Sequence, residues 1–184
     1  MASANHATGR PVNVLFVCLG NICRSPMAEG VFTDMAAKHP LINEIDSAGT
    51  GAYHVMEPPD PRTMSTLRRH GITDYDHAAR KVTKEDFLHF DYLMAMDKYN
   101  LRDLQDTRQS LLKKAGGART KIAEVRLFGD FGAGGVLHEC VGGGEVVKDP
   151  YYGGANGFEE VYQQVTRFSR GFLDYLEKGN GSKE

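Results

Sequence analysis

The sequence of 184 residues has few cysteines, no excess of positive charge and no long apolar run. Its three cysteines form an odd, low count, in spacings unlike a disulfide framework or a zinc finger. With 22 basic and 24 acidic residues, the formal net charge is −2, which favours neither nucleic acid nor a membrane surface as a partner. No segment reaches the apolar length of a membrane span, and the N-terminus lacks the apolar centre of a signal peptide.

These features favour a globular protein in a reducing compartment. We expect it to be cytoplasmic, because free thiols persist in the cytoplasm. The length fits a single domain with a substantial core. We predict that this domain spans residues 12–178. Residues 1–11, which are small and polar, and residues 179–184 are predicted as tails.

Short apolar runs alternate with segments of helical periodicity along the chain. This alternation predicts an α/β fold: a doubly wound four-stranded parallel sheet flanked by helices, with the ligand site at the carboxyl ends of the strands. The predicted strands cover 13–18, 43–48, 92–96 and 125–128. The predicted helices cover 25–38, 60–70, a short segment that begins at the T-x-x-D pattern of Thr83, 98–114, and a long apolar stripe from Phe158 to Leu176.

The first strand, its loop and the next helix hold the most informative pattern. Cys18 ends the strand, and Arg24 follows after five residues. Gly20 and Asn21, which tolerate left-handed backbone angles, lie between them and let a tight loop turn its amides inward. Ser25, followed by a proline, predicts a helix start with the serine as N-cap. Loop amides and a helix N-terminus bind anions and favour a thiolate, so the pattern predicts a phosphate-binding loop at the end of strand 1 rather than ordinary buried cysteines.

Six segments of the chain carry a further signal: CLGNICRSPMAE at 18–29, DSAGT at 46–50, PPDPR at 58–62, VTKEDF at 82–87, MDKYNLRDL at 96–104 and DPYYG at 149–153. Together they resemble one family, the low-molecular-weight protein tyrosine phosphatases, and they follow the family's order from about Val12 to Leu176. The resemblance implies hydrolysis of phosphotyrosine and small aryl phosphates, including acid phosphatase activity, with no metal and no cofactor. It also implies inhibition by inorganic phosphate or similar oxyanions.

The resemblance assigns the chemistry to three side chains. Cys18 would attack phosphorus and form a cysteinyl-phosphate. Arg24 would hold two phosphoryl oxygens with its planar fork, and Asp149 would protonate the leaving group and then activate water. The remaining phosphate contacts would come from the loop, which comprises Leu19, Gly20, Asn21, Ile22, Cys23, Arg24 and Ser25.

Further roles follow from the same resemblance. Asn21 would hold the shape of the loop, braced by Ser47 and His77, although an isolated histidine is more often an ordinary surface or core residue. Ser25 would donate its hydroxyl to the Cys18 thiolate and help it leave in the second step. Cys23 would capture an oxidised Cys18 as a disulfide, or else only fill space beneath the loop. The cleft wall would consist of Tyr53, Tyr151 and Tyr152, of which the last two are phosphorylation sites in the family.

Residues 129–148 are rich in glycine, and this segment looks longer than is usual in the family. The pattern predicts a tolerated loop insertion in which residues 136–141 pair with 145–147 as a surface hairpin.

Three alternatives remain at this stage. A thiol-coupled arsenate reductase would need two further relay cysteines, and only Cys140 remains. A protein-arginine phosphatase shares the fold, but the tyrosines favour aryl substrates. A non-catalytic phosphate-binding module would be expected to lose Cys18, Arg24 or Asp149, and all three are present.

Overall fold

In the computed structural model, which describes residues 9–181, four parallel strands form one sheet in the order β2-β1-β3-β4. The predicted four-stranded parallel sheet is therefore confirmed. Strand β1 lies between β2 and β3, so the chain runs to one side of β1 first and then to the other. The carboxyl end of β1 is therefore the topological switch point, where α/β sheets bind ligands. The strands are β1 Val12–Cys18, β2 Ile42–Gly49, β3 Tyr92–Ala95 and β4 Glu124–Leu127.

Helices cover both faces of the sheet because β1 is apolar on both faces. Val14 and Phe16 pack in one core with α1 and α5, whereas Leu15 and Val17 pack in a second core with α3 and α4. Such two-sided burial is typical of parallel strands. The helices are α1 Arg24–Met35, α2 Pro61–Arg69, α3 Lys84–His89, α4 Lys98–Ala115 and α5 Gly157–Gly181.

Most element boundaries lie close to their predicted positions, and the local signals explain them. Thr83 forms the predicted capping box with Asp86 at the start of α3. Gly71 and Gly116, both with positive φ, follow α2 and α4 where the helices end. Helix α5 continues to Gly181, beyond residue 179, where the tail was expected to begin. Of the predicted N-terminal tail, residues 1–8 lie outside the described range.

The predicted N-cap at Ser25 is wrong. Helix α1 begins at Arg24, its N-cap is Cys23, and no side chain caps it. Ser25 lies in the first turn, and its hydroxyl is hydrogen-bonded inside the phosphate loop instead. The Ser25 hydroxyl contacts Cys18 and Asn21 and is therefore not available to cap the helix.

The predicted hairpin within residues 129–148 is also wrong. The two parts of the segment do not pair with each other. Each forms an isolated antiparallel bridge to the residues just after β4: Glu145 to Gly129, and Leu137 to Phe131. The backbones approach so closely that a Cβ on Gly129 would lie 1.8 Å from the Glu145 carbonyl oxygen, so only glycine fits. The buried Asp130 carboxylate fixes the turn by accepting hydrogen bonds from the amides of residues 142 and 144, each at 2.8 Å. The segment is thus packed against the domain, and it leads directly into Asp149.

None of the helices in the described range is long and apolar enough to cross a membrane.

Candidate active site

Cys18 lies at the carboxyl end of the central strand, buried beneath the loop that follows it. The Asn21 amide donates a hydrogen bond to its Sγ at 3.3 Å, and the Ser25 Oγ lies 3.1 Å from the same sulfur. Asn21 adopts φ = 57°, the left-handed conformation expected for a loop that turns its amides inward. Two hydrogen-bonding groups of the loop thus face the Cys18 sulfur.

The Asn21 side chain fixes the shape of this phosphate loop (residues 18–25). Its Nδ2 donates to the Ser25 and Ser47 hydroxyls at 2.8 and 2.9 Å. Its Oδ1 accepts from His77 Nε2 at 2.8 Å and from the Arg80 amide at 3.1 Å. Every hydrogen-bonding position of the buried amide is therefore occupied. The structure brings Ser47 and His77 to Asn21, where the family resemblance expected them.

Behind Ser47 lies a buried carboxylate that the sequence did not single out. Glu29 Oε2 accepts hydrogen bonds from Ser47 Oγ at 2.7 Å and Tyr75 OH at 2.5 Å, and it lies 3.4 Å from His77 Nδ1. Burial raises the pKa of Glu29 to about 7, and burial lowers the pKa of His77. The Glu29 carboxyl therefore lies between two hydroxyl donors and the His77 ring, and its burial favours the neutral form.

This cluster also holds the described residues that come nearest to a metal site. Ligand atoms of Glu29, Asp46 and His77 lie within 4.8 Å of one another. The Arg80 guanidinium donates to Asp46 at 3.0 Å, and His77 is engaged by Asn21. The Asp46 carboxylate is already paired with a guanidinium, and Glu29 already accepts two hydroxyl hydrogen bonds, so we read the cluster as a hydrogen-bonded support for the loop.

Arg24 closes the phosphate loop from the helix side. Its Nη1 donates to Asp97 Oδ2 at 2.6 Å and to the Val147 carbonyl at 3.1 Å, while Nη2 lies 3.8 Å from Asp149 Oδ2. Burial opposes the charge of Arg24, but Cys18 and Asp97 outweigh burial and raise its pKa. The guanidinium is thus permanently charged and aimed before any ligand arrives.

Asp97 was missed by the sequence reasoning. It follows β3, is the N-cap of α4, and accepts from the Asn100 amide at 2.8 Å with its second oxygen. An acidic residue at the carboxyl end of a parallel strand, just before a helix, was the signal that could have found it.

The cleft above the loop has a volume of about 390 Å³. Cys18 and Arg24 lie at its floor, and Asp149, whose side chain is 46% exposed, lies at its mouth. The structure therefore brings together the three residues to which the resemblance assigns the chemistry, although Asp149 is distant from the other two in the chain. The walls include Leu19, Gly20, Ile22, Cys23, Tyr53, His54, Tyr151 and Tyr152.

Cys23 lines the same cleft but differs from Cys18 in its surroundings. Burial, together with the negative charge of Asp60, raises the pKa of the Cys23 thiol to about 12. Cys23 is therefore a neutral thiol at physiological pH and not a competing nucleophile. Both cysteines are unpaired in the structure.

The site combines a buried thiol, an arginine at the end of the loop around it, and a carboxylate at the opening of the cleft. This combination, at the end of a parallel sheet, is typical of sites that cleave phosphate esters with a thiol nucleophile. A family model described as low molecular weight phosphotyrosine protein phosphatase matches residues 13–182. A curated protein of that name from Schizosaccharomyces pombe is 47% identical over 165 residues, which cover 88% of this chain and 95% of the relative.

Solved structures agree with this match. A protein tyrosine phosphatase from Entamoeba histolytica superposes with a TM-score of 0.73 at 34% identity, covering 91% of this chain and 98% of its own. A Drosophila arginine phosphatase superposes with a TM-score of 0.72 at 31% identity, covering 89% of this chain and 96% of its own. The chain belongs to the low molecular weight phosphotyrosine protein phosphatase family. Its class is therefore that of the hydrolases of phosphoric monoesters, which confirms the family and enzyme class predicted from the sequence.

Proposed function

We propose that the protein hydrolyses phosphotyrosine in proteins, and small aryl phosphate monoesters, in two displacements at Cys18. In the first, the Cys18 thiolate attacks phosphorus, and the bond to the aryl oxygen breaks. Arg24 and the loop amides hold the equatorial oxygens, where charge develops. Asp149 gives its proton to the departing oxygen, which leaves a cysteinyl-phosphate and a neutral phenol.

In the second displacement, water attacks the cysteinyl-phosphate. The Asp149 carboxylate takes the proton from this water, and inorganic phosphate forms as the sulfur–phosphorus bond breaks. The Ser25 hydroxyl, 3.1 Å from Cys18 Sγ, stabilises the sulfur as it leaves as a thiolate. The observation that carries the proposal is this placement of Cys18, Arg24 and Asp149 around one cleft. Hydrolysis of a chromogenic aryl phosphate, with a rate unaffected by EDTA, tests it.

The aromatic walls favour an aryl substrate. Tyr53, Tyr151 and Tyr152 border the cleft, and the rings of the last two lie 4.8 Å apart in an edge-to-face arrangement. Such rings can stack on a phenyl group. The similar fold of an arginine phosphatase makes phosphoarginine the second candidate substrate. Equal amounts of phosphotyrosine and phosphoarginine peptides separate the two, and we expect faster turnover of phosphotyrosine.

The same site accounts for the remaining partners. Inorganic phosphate and similar oxyanions would occupy the cradle and compete with substrate, as expected of an acid phosphatase of this family. The free thiol at the reaction centre suits the cytoplasm, where we place the protein. An arsenate reductase relay is disfavoured because Cys140 is exposed and lies outside the residues that line the cleft.

Replacement of Arg24 with lysine is expected to lower kcat about 10²–10³-fold, the usual effect of losing an oriented donor in the transition state. Lysine keeps the charge, but its ammonium group cannot hold two phosphoryl oxygens as a planar fork does. It also cannot replace the Arg24 bonds to Asp97 and the Val147 carbonyl at the same time. Steady-state kinetics on an aryl phosphate check this prediction, with Arg102→Lys on α4 as a surface control. A variant that retains more than half of the wild-type kcat would show that charge alone suffices.

Cys23 is expected to protect the enzyme from peroxide. Oxidation converts Cys18 to a sulfenic acid, and the Cys23 thiol then displaces water to form a disulfide. Because the pKa of Cys23 is raised to about 12, Cys23 stays a neutral thiol and does not react with substrate during turnover. The alternative is that Cys23 only packs beneath the loop.

To measure this, wild type and Cys23→Ser are treated with peroxide and then with a thiol reductant. Wild type should regain its activity, Cys23→Ser should recover poorly, and inorganic phosphate should slow the loss in both. Full recovery of the variant would mean that Cys23 is a packing residue.

A further inference from the structure

The segment that carries the proton donor is held by few contacts. Within residues 149–153, termed the acid loop, the hydrogen bonds are local: the Tyr151 amide donates to Asp149 Oδ1, and the Gly153 amide donates to the Pro150 carbonyl, each at 3.1 Å. Pro150 is buried and lies beside Gly157 at the start of α5, while a groove of about 630 Å³, lined by Asp149 and Pro150 on one side, opens next to this contact. None of the described hydrogen bonds joins the loop to α5.

One side chain on α2 joins this loop to the rest of the site. Arg62 Nη1 donates to the Tyr151 carbonyl at 3.1 Å. Its guanidinium also lies 5.3 Å from the Tyr151 ring centroid and 4.6 Å from that of Phe158, within the range of cation–π contacts. Across the described residues, the bond from Arg62 Nη1 to the Tyr151 carbonyl is the single hydrogen bond between the acid loop and a residue outside it. Its other polar contact is the 3.8 Å ion pair of Asp149 with Arg24.

The other side of the Arg62 fork is anchored at the phosphate loop. Its Nε and Nη2 donate to the two Asp60 oxygens at 3.0 and 2.9 Å, a bidentate geometry that fixes the plane of the guanidinium. The Asp60 amide in turn donates to the Ile22 carbonyl at 2.8 Å, and the neighbouring Thr63 hydroxyl donates to the Cys23 carbonyl at 3.2 Å. A continuous path thus links the loop that holds the nucleophile to the loop that holds the proton donor.

We propose that Arg62, aimed by Asp60, is a positioning residue that sets the height of Asp149 above the phosphate loop. Proton transfer depends steeply on this placement, since a shift of about 1 Å can cost about 10²-fold in rate. Phosphate binding does not depend on it, because Arg24 and the loop amides hold the anion. The proposal rests on the proposed role of Asp149 as proton donor.

The test uses Arg62→Met, which keeps an unbranched apolar stem but removes the guanidinium with its donors and charge. Arg68→Met on the same helix is the control, because none of the described hydrogen bonds or ion pairs of the acid loop involves it. With an unactivated phenol as leaving group, Arg62→Met should lower kcat/KM, which reports the steps up to departure of the phenol, about 10-fold, a fraction of the general-acid effect. With a nitrophenol, kcat/KM should stay within about 2-fold of wild type. The inhibition constant of inorganic phosphate should not change.

Combining the change with Asp149→Ala distinguishes positioning from general support of the fold. If Arg62 acts through Asp149, the double variant should be no slower than Asp149→Ala alone, because the two effects are not independent. Additive losses, equal losses for both leaving groups, or weaker phosphate inhibition would overturn the proposal. Arg62→Lys should fall between wild type and Arg62→Met, and it serves if Arg62→Met fails to fold. If Asp149→Ala alone shows no leaving-group dependence, the proton-donor assignment fails, whatever Arg62 does.

Discussion

Replacement of Cys18 with serine is expected to abolish turnover of aryl phosphates while preserving phosphate binding. A serine hydroxyl at this position is a far weaker nucleophile than a thiolate held by the Asn21 amide and Ser25. The Arg24 guanidinium and the loop amides remain, so the anion still has its donors. Steady-state kinetics would measure the loss, and calorimetric titration with inorganic phosphate would measure the binding.

Cys140→Ser is the matched control because Cys140 is exposed. It should retain wild-type kcat. Turnover by Cys18→Ser at or near the wild-type rate would contradict the mechanism, since no other thiolate is placed to attack. Loss of phosphate binding in a folded Cys18→Ser protein would contradict the structural account of the cradle.

Asp149→Ala is expected to lower kcat/KM about 10²–10⁴-fold with a poor leaving group, the usual contribution of a general acid. A tyrosyl oxygen has a pKa of about 10, so its departure as an anion at neutral pH is slow without a proton. An activated nitrophenol leaves readily as an anion and should lose much less. A series of aryl phosphates with graded leaving-group pKa measures the slope directly.

Asp149→Asn provides the control for shape, because it keeps the side-chain size but has no proton to give. It should follow Asp149→Ala across the series. Equal losses for all leaving groups would indicate that Asp149 supports the structure and that another group carries the proton.

The sequence predicted the part of the site that depends on local pattern. An apolar strand ending in Cys18, a loop with Gly20 and Asn21, and a helix from Arg24 are consecutive in the chain, so periodicity and backbone tolerance were sufficient. The roles assigned to Ser47, His77 and Asp149 depended instead on family resemblance. The structure places all three at the site, although isolated residues of these types carry little information.

What the sequence missed depends on long-range contacts. Asp97 meets Arg24 across 73 residues, and Glu29 meets Tyr75 across 46 residues. Topology brings these pairs together, and no local period encodes them. The hairpin prediction failed for a related reason: residues 136–141 were expected to pair with 145–147, but both parts bridge instead to residues 129–131, just after β4, where Gly129 allows close approach and Asp130 fixes the turn.

Trapping the covalent intermediate tests the central claim most directly. Wild-type enzyme is mixed rapidly with an excess of aryl phosphate, quenched in the pre-steady state and digested, and the phosphorylated peptide is then located by mass spectrometry. We predict a single phosphate on the tryptic peptide that ends at Arg24, localised to Cys18 by fragmentation and absent from Cys18→Ser. A phosphate on any other residue, or product release with no phosphoenzyme at any quench time, would contradict it.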